Sequence, residues 1–310
     1  MNKADIKNVI EKLVPDKEME QRLSEKISHK QYNKFSLKIT ASIAAGLIIV
    51  FSLGIIGHNL TEEKNTTPTS TISSKYSINI PKIELPKNTN ANANMIGLIV
   101  YQGRIYTQTD TRINPESAEK LLGEKLGTTK GNIDEWSKQK DYAVDFASSI
   151  GKADVYSVKG YDKSFRIMTY DKREGTIYPE FFECFNGITI RTGDDVFGKL
   201  KIEDNIKLAK QEKFESWNYN KQEYKELKDL QSLNNFVSEF KNTIPYTQES
   251  LSYLFNDQGD TNQKIVYIIL NDGSEVQLRL FKGGYLYYNN SHIFFKMENK
   301  VFDELWNELE

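Results

Sequence analysis

Apolar positions fall into three regimes along this chain, and the longest of them is unbroken. Residues 39–61, ITASIAAGLIIVFSLGIIGHNLT, contain no Asp, Glu, Lys or Arg. At the α-helical rise these 23 positions cover about 34 Å, enough to cross a hydrocarbon core of about 30 Å. The pattern predicts one transmembrane helix over 39–60. Before it, Ile6, Val9, Ile10 and Leu13, then Met19, Leu23 and Ile27, recur at helical spacing on either side of Pro15-Asp16, which predicts a helical arm over 1–38. After it, residues 61–94 are rich in Ser, Thr and Asn and poor in apolar residues, the composition of a tether. Ile78, Ile80, Ile83 and Leu85 are spaced to lay an edge strand on the domain beyond.

From Met95 short alternating runs replace the long ones. Ile96–Tyr101 and Arg104–Gln108 flank Gln102-Gly103, a hairpin signal. Asn114-Pro115 supplies an N-cap followed by Pro at N1, and predicts a helix through Ala118, Leu121, Leu122 and Leu126. Strands are expected near 153–159 and 165–170, at Tyr178–Phe185 and at Gly187–Arg191. A second half repeats this grammar. It has a helix around Leu233, Phe236, Val237 and Phe240 capped by Ser232, and a hairpin about Asn271-Asp272-Gly273 in which Val276, Leu278 and Leu280 alternate with Gln277 and Arg279. Strands at Tyr285–Tyr288 and His292–Met297 precede a closing helix carrying Val301, Phe302, Leu305, Trp306 and Leu309. The expected class is therefore α+β, with modules over 95–222 and 223–310. Their shared signatures fit either a duplicated helix-plus-meander unit or two unrelated small units.

Charge orients the picture. Residues 22–38 carry Arg22, Lys26, Lys30, Lys34 and Lys38 against Glu25, whereas 59–78 carry Lys64 and Lys75 beside Glu62 and Glu63. By the positive-inside rule the amino terminus is expected in the cytoplasm and residues 62–310 outside, as a cell-membrane protein with a retained signal anchor. The arm holds nine basic and six acidic side chains, and the whole chain has a net charge of −2. Neither value suggests nucleic acid as a partner. An arm of 38 residues is too short for its own core, so its apolar stripe predicts a covering partner: the lipid bilayer, a second copy, or a cytoplasmic protein bound to residues 1–30.

Candidate chemistry is sparse. The histidines are His29, His58 and His292, and Cys184 is the only cysteine. No Ser-His-Asp set, zinc cluster, Walker sequence or G-x-G-x-x-G pattern is present, so no catalytic, cofactor-binding or metal residue is assigned. Cys184 alternates with phenylalanines and is expected to pack as a small hydrophobe. Glu183 shares a face with Phe181 and Phe185, either as a carboxyl with raised pKa or, the favoured reading, on a solvent face rimmed by aromatics. Asp194-Asp195 and the segment Asn256–Asn262 read as turn chemistry, the latter lacking the order of a calcium loop. Among 17 tyrosines, Tyr285, Tyr287 and Tyr288 with Trp306 or Trp217 offer an aromatic surface for an extracytoplasmic sugar or peptide ligand. Ser42 and Gly46 form a small-xxx-small pair.

The opening MNKADIKNVIEKLVPDKEMEQRLSEKI, followed by the lysine stripe and the Ala/Gly/Ile-rich span, resembles the membrane-anchored, largely uncharacterised proteins of Gram-positive spore-formers. Their layout is similar to that of anti-sigma factors, and the resemblance covers residues 1–60. It implies a non-enzymatic sensory or regulatory role, with a surface-anchored binding module as the alternative. The arm lacks the Cys and His set of zinc-type anti-sigma factors, and no site residue carries over.

Overall fold

A computed structural model describes residues 76–81 and 97–310, apart from 135–136, 174 and 257–258. All of them fall in one compact unit. Strand β1 (Ile78–Asn79) comes first. β2 (Leu98–Tyr101), β3 (Arg104–Gln108) and β4 (Arg112–Ile113) lead into helix α1 (Pro115–Leu121), which passes directly into β5 (Leu122–Thr128). Next in the chain are β6 (Asp154–Val158), β7 (Arg166–Arg173), β8 (Thr176–Glu183) and β9 (Thr189–Ile190). Then come β10 (Ile206–Lys213), α2 (Phe214–Asn218), β11 (Tyr224–Glu226) and α3 (Gln231–Ser238). The chain closes with β12 (Ile244–Thr247), β13 (Gln263–Leu270), β14 (Ser274–Phe281), β15 (Tyr285–Tyr288), β16 (Ile293–Lys296) and α4 (Asn299–Glu308).

Three antiparallel sheets result. A six-stranded sheet runs β2-β3-β8-β7-β6-β5. A larger one runs β11-β10-β13-β14-β15-β16-β12, with β4 paired to the far end of β14. β1 and β9 form a two-stranded ribbon. Turn chemistry accounts for the tight connections. Gln102 and Gly103 both take positive φ, as a two-residue hairpin requires, and Gly273 does so between β13 and β14. Asn114 caps α1 by accepting the Ser117 N–H at 2.8 Å, with Pro115 at the first helical position.

The main core lies between the large sheet and helices α3 and α4. Val266, Ile268, Val276, Leu278 and Leu280 face Leu233, Phe236, Phe302 and Leu305. The opposite face of the same sheet is also covered. Phe281, Tyr287 and Phe294 pack there under Leu251 and Phe255, from the 3-10 segment Glu249–Phe255. A sheet buried on both faces explains why β13 reads as the near-continuous apolar run Lys264–Leu270 rather than a clean alternation.

The structure corrects the expected fold class. The described chain is mostly antiparallel β-sheet with few, short helices, rather than an α+β protein built around a membrane span. The helix α4 has ten residues, and no helix among the described residues is long and apolar enough to cross a membrane. The helical arm over 1–38 and the apolar run over 39–60 lie outside the described residues. The transmembrane helix, the signal anchor and the single-pass cell-membrane localisation rest on the length and apolarity of that run. They are not carried by a helix in the structure, and we do not retain them.

Local departures have physical causes. The helix expected through Leu126 stops at Leu121, because Gly123 and Gly127 disfavour helix and leave no room for side chains at those sites. A Cβ on Gly127 would lie 2.4 Å from the Phe146 ring, and one on Gly123 would lie 2.3 Å from Ser157 Oγ. Ser232 does not cap α3; its hydroxyl donates to Glu308, while Asp229 accepts the Gln231 N–H at 2.9 Å. His292 is not in a strand. It takes left-handed backbone (φ 54) after the 3-10 turn Asn289–Ser291, one residue before β16. Of the tether's four apolar strand positions, Ile78 and Ile80 pack against the main core, while Ile83 and Leu85 lie outside the described residues. The two large sheets do not repeat one strand order: β5 after α1 pairs with the next strand, β6, whereas β12 after α3 pairs with the distant β16.

Candidate functional site

Two arginines frame the chemistry. Arg166 begins β7 and sits directly opposite Glu183 in the β7–β8 register, so their side chains emerge on the same face. Both are buried, with 0% and 1% exposure. Arg166 Nε and a terminal nitrogen donate to Glu183 Oε1 at 3.1 and 2.5 Å. The other carboxylate oxygen accepts from Tyr288 Oη at 2.7 Å and from Asn290 Nδ2 at 3.0 Å, both at the large sheet's β15–β16 connection. Thr109 and Thr111 hydroxyls lie 2.9 and 3.0 Å from the same phenol oxygen. Burial, then the Glu183 carboxylate, pushes the Tyr288 phenol well above its ordinary range. Tyr161, Phe181 and Phe165 rings pack about the guanidinium, at 4.4, 4.7 and 5.5 Å from its carbon. This network joins the six-stranded sheet to the large one. Its carboxylate is surrounded by donors from both sheets and makes no opening to solvent, so its role is to latch the sheets.

Arg279, two residues before the end of β14, is the other case. It projects from the face opposite the main core, in one cross-strand row with Ile265 and Tyr287. Three rings surround it: Trp217 of α2 at 4.7 Å, Phe255 of the 3-10 segment at 5.0 Å and Phe281 at 5.2 Å. One terminal nitrogen donates to Gln263 Oε1 at 2.6 Å. Its Nε is buried with no acceptor, and no ion pair ties the guanidinium to a carboxylate among the described residues. Burial pulls its pKa down to about 10, so it remains cationic at neutral pH. Arg279, Trp217 and Phe255 are all half-buried.

The elements that supply the cage also carry the most exposed aromatics of the described chain. Tyr219, at the end of α2, is 68% exposed, and Tyr253, in the 3-10 segment, is 58% exposed. The loop after α2 is pinned. Asn220 and Gln222 hold left-handed backbone, Asn220 N–H donates to Trp217 O, and Lys221 N–H donates to Ser216 O at 2.8 Å. Asp260 accepts the Glu215 N–H at 3.0 Å and holds the start of the helix. Tyr287 Oη and His292 Nδ1 both meet Gln248 Oε1, at 2.8 and 3.1 Å, beside the same aromatic cluster.

The other residues singled out in the sequence are spread over the fold. Glu183 is a latch residue rather than a solvent-face carboxylate. Cys184 is 4% exposed, and burial raises its thiol pKa, as for a packed small hydrophobe. Asp195 accepts the Arg191 and Thr192 N–H groups, which is turn chemistry, and Asp194 begins a π-turn over Asp194–Gly198. Beside that turn is a depression of about 320 Å³ floored by Phe197, Ile202 and Phe240, and its rim of Asp194, Lys201, Glu203 and Lys241 is exposed. Tyr287 and Trp217 come together around Arg279. Tyr288 points to the opposite face of the sheet, and Trp306 stacks on Phe302 in α4, with Lys264 Nζ over its ring. No group of three or more metal-ligating side chains occurs among the described residues. His29, His58, Ser42 and Gly46 lie outside them. Arg166 and Arg279 carry no sequence motif; the only signal is that Arg279 alternates with β14's apolar positions, which by itself reads as a solvent face.

Comparison with known proteins places nothing beside this architecture: no protein-family model, no curated protein sequence and no solved structure matches the chain.

Proposed function

We propose that this chain is a non-enzymatic recognition protein, sensory or regulatory in type, which engages its ligand or partner on the Arg279 face of the large sheet. The reading is carried by one observation: a cation held among Trp217, Phe255 and Phe281 with no carboxylate partner among the described residues and with its Nε lacking an acceptor. An unmade bond at a buried donor costs about 1–3 kcal/mol, more when the group is charged. A group kept at that cost beside exposed Tyr219 and Tyr253 has the composition of a binding anchor, since interface hot spots are enriched in Trp, Tyr and Arg. By contrast, the buried carboxylates Glu183 and Glu212 are occupied by internal partners: Glu212 accepts from Ser216 Oγ and Tyr267 Oη, both at 2.7 Å. That use favours recognition over acid–base chemistry.

A thermal-unfolding screen of the full chain against peptide and metabolite libraries tests the reading. A ligand that raises the melting temperature, is recovered chemically unchanged and loses its effect in Trp217→Ala supports it. Hits that stabilise Trp217→Ala equally, or that are converted to product, overturn it.

A further inference from the structure

The recognition reading leaves open the chemistry of the ligand that the Arg279 cage takes, and the geometry, granted that reading, narrows the answer. A guanidinium presents paired N–H donors suited to planar oxyanions, and at Arg279 only one terminal nitrogen is used, by Gln263 Oε1. Arg166 supplies the internal standard. There, Nε and the same kind of terminal nitrogen converge on a single carboxylate oxygen, the remaining terminal nitrogen is buried without an acceptor, and the guanidinium is likewise packed among three aromatic rings. Arg279 reproduces the ring packing without the carboxylate. We infer that the cage is the anchor for a carboxylate borne on an apolar body, which the rings hold while Nε and the second N–H of the terminal nitrogen already bound to Gln263 take the oxygens.

The charge balance favours a carboxylate over a phosphate. Among the described residues no other cation lies over these three rings, and one guanidinium matches one negative charge, whereas a phosphate monoester brings about −1.5 to −2. Asp110, the nearest acidic influence on Arg279, is engaged elsewhere: its carboxylate accepts from Asn289 Nδ2 at 2.7 Å. Trp217 is the ring nearest the guanidinium carbon, at 4.7 Å, so a ligand that reaches the buried Nε meets the indole. The ligand therefore reports on itself through the Trp217 indole.

The test tracks the arginine Nε–H and tryptophan indole cross-peaks of the ¹⁵N-labelled full chain, with Arg279→Lys identifying the Arg279 signal and its melting curve checking the fold. Two acidic probes are titrated, phenylacetate for a free organic acid and acetyl-Phe-Glu-Phe-amide for an acidic peptide. Each is paired with its neutral counterpart, phenylacetamide or acetyl-Phe-Gln-Phe-amide. The expected result is that an acidic probe moves the Arg279 Nε–H and Trp217 indole signals, its neutral counterpart binds at least tenfold more weakly, and Arg279→Lys loses at least tenfold in affinity. Movement with the peptide alone or with phenylacetate alone supports the inference and identifies the source of the carboxylate. Neutral probes that bind as well as acidic ones overturn the carboxylate while leaving recognition at this face intact. An Arg279 signal that no probe moves also overturns it, and the library screen then decides separately whether the face binds anything.

Discussion

Arg166 and Arg279 are two solutions to one problem, a guanidinium packed among three aromatic rings in a β-rich protein. At Arg166 the rings are joined by a buried carboxylate, and the carboxylate is joined by a phenol and an amide from the other sheet. At Arg279 the rings are present and the carboxylate is not. Cation–π contacts are worth about 0.5–2 kcal/mol each. They do not replace the several kcal/mol of hydration that a buried ion loses. Each guanidinium keeps one buried nitrogen without an acceptor, Nη1 at Arg166 and Nε at Arg279, so the difference lies in the counter-ion, which the fold supplies to Arg166 and not to Arg279.

The widest separation between the two sites comes from removing charge at the latch. Glu183→Ala leaves Arg166 buried without its counter-ion, and unfolding by urea is expected to show a loss of about 3–5 kcal/mol. Replacing both partners, Arg166→Met with Glu183→Leu, is expected to recover much of that loss, because no uncompensated charge remains. A single Glu183→Ala variant as stable as the wild type would remove the latch from the account.

Tyr288→Phe is a milder break of the same latch. It deletes a donor to Glu183 and the partner of Thr109 and Thr111, for an expected loss of about 1–2 kcal/mol. Its pH dependence carries a sign. Burial raises the Tyr288 phenol well above its ordinary value and pushes Tyr161 up to about 12. Above about pH 10 the unfolded chain releases these protons while the folded chain keeps them. Their contribution is thus fully present below about pH 10 and is lost as pH rises, for Tyr161 through about 12. Between about pH 10 and 12 stability should fall by about 1.4 kcal/mol per pH unit for each retained proton. Tyr288→Phe should make the slope shallower by about one such step, measured by urea midpoints across that range. An unchanged slope would mean that the phenol is not protected by the fold.

How legible these sites are in the sequence depends on range. Local turn signals such as Gln102-Gly103, Asn114-Pro115 and Asn271-Asp272-Gly273 place their hairpins and helix start, because their physics is complete within four residues. The alternation of Val276, Leu278 and Leu280 places one buried face of β14. It also puts Gln277 and Arg279 on the other face, where alternation alone implies solvent. The covering rings come from Trp217 and Phe255, 62 and 24 positions upstream, and no local pattern announces them. Glu183 is visible as a carboxylate among aromatics, but its partners stand 17, 105 and 107 residues away, at a register that only the sheets fix. The α+β expectation overweights helical spacing in a chain whose longer elements are mostly eight-residue strands. The apolar run over 39–61 invites a membrane helix by its length and its lack of charge, criteria that no described helix meets.

The smallest expected effect is the most informative one. Arg279→Met keeps the stem's apolar packing, removes the buried charge and leaves no Nε without an acceptor. The losses are one charged hydrogen bond to Gln263, about 1.5–3 kcal/mol, and the ring contacts with the cation. The gains are the relief of an unpaired buried charge, which apolar replacement has offset by about 1–4 kcal/mol at other buried ionic sites, and a flexible thioether that packs well against aromatic rings. The two sides are of similar size, so the variant should unfold within about 1 kcal/mol of the wild type in urea. Arg166→Met alone should instead lose about 3–5 kcal/mol, since Glu183 is then the uncompensated ion. If Arg279→Met falls as far as Arg166→Met, the cage is holding the sheet and Arg279 is a second latch. If it holds its stability, the cation among Trp217, Phe255 and Phe281 is dispensable to folding, and its retention has to be explained by what it meets from outside.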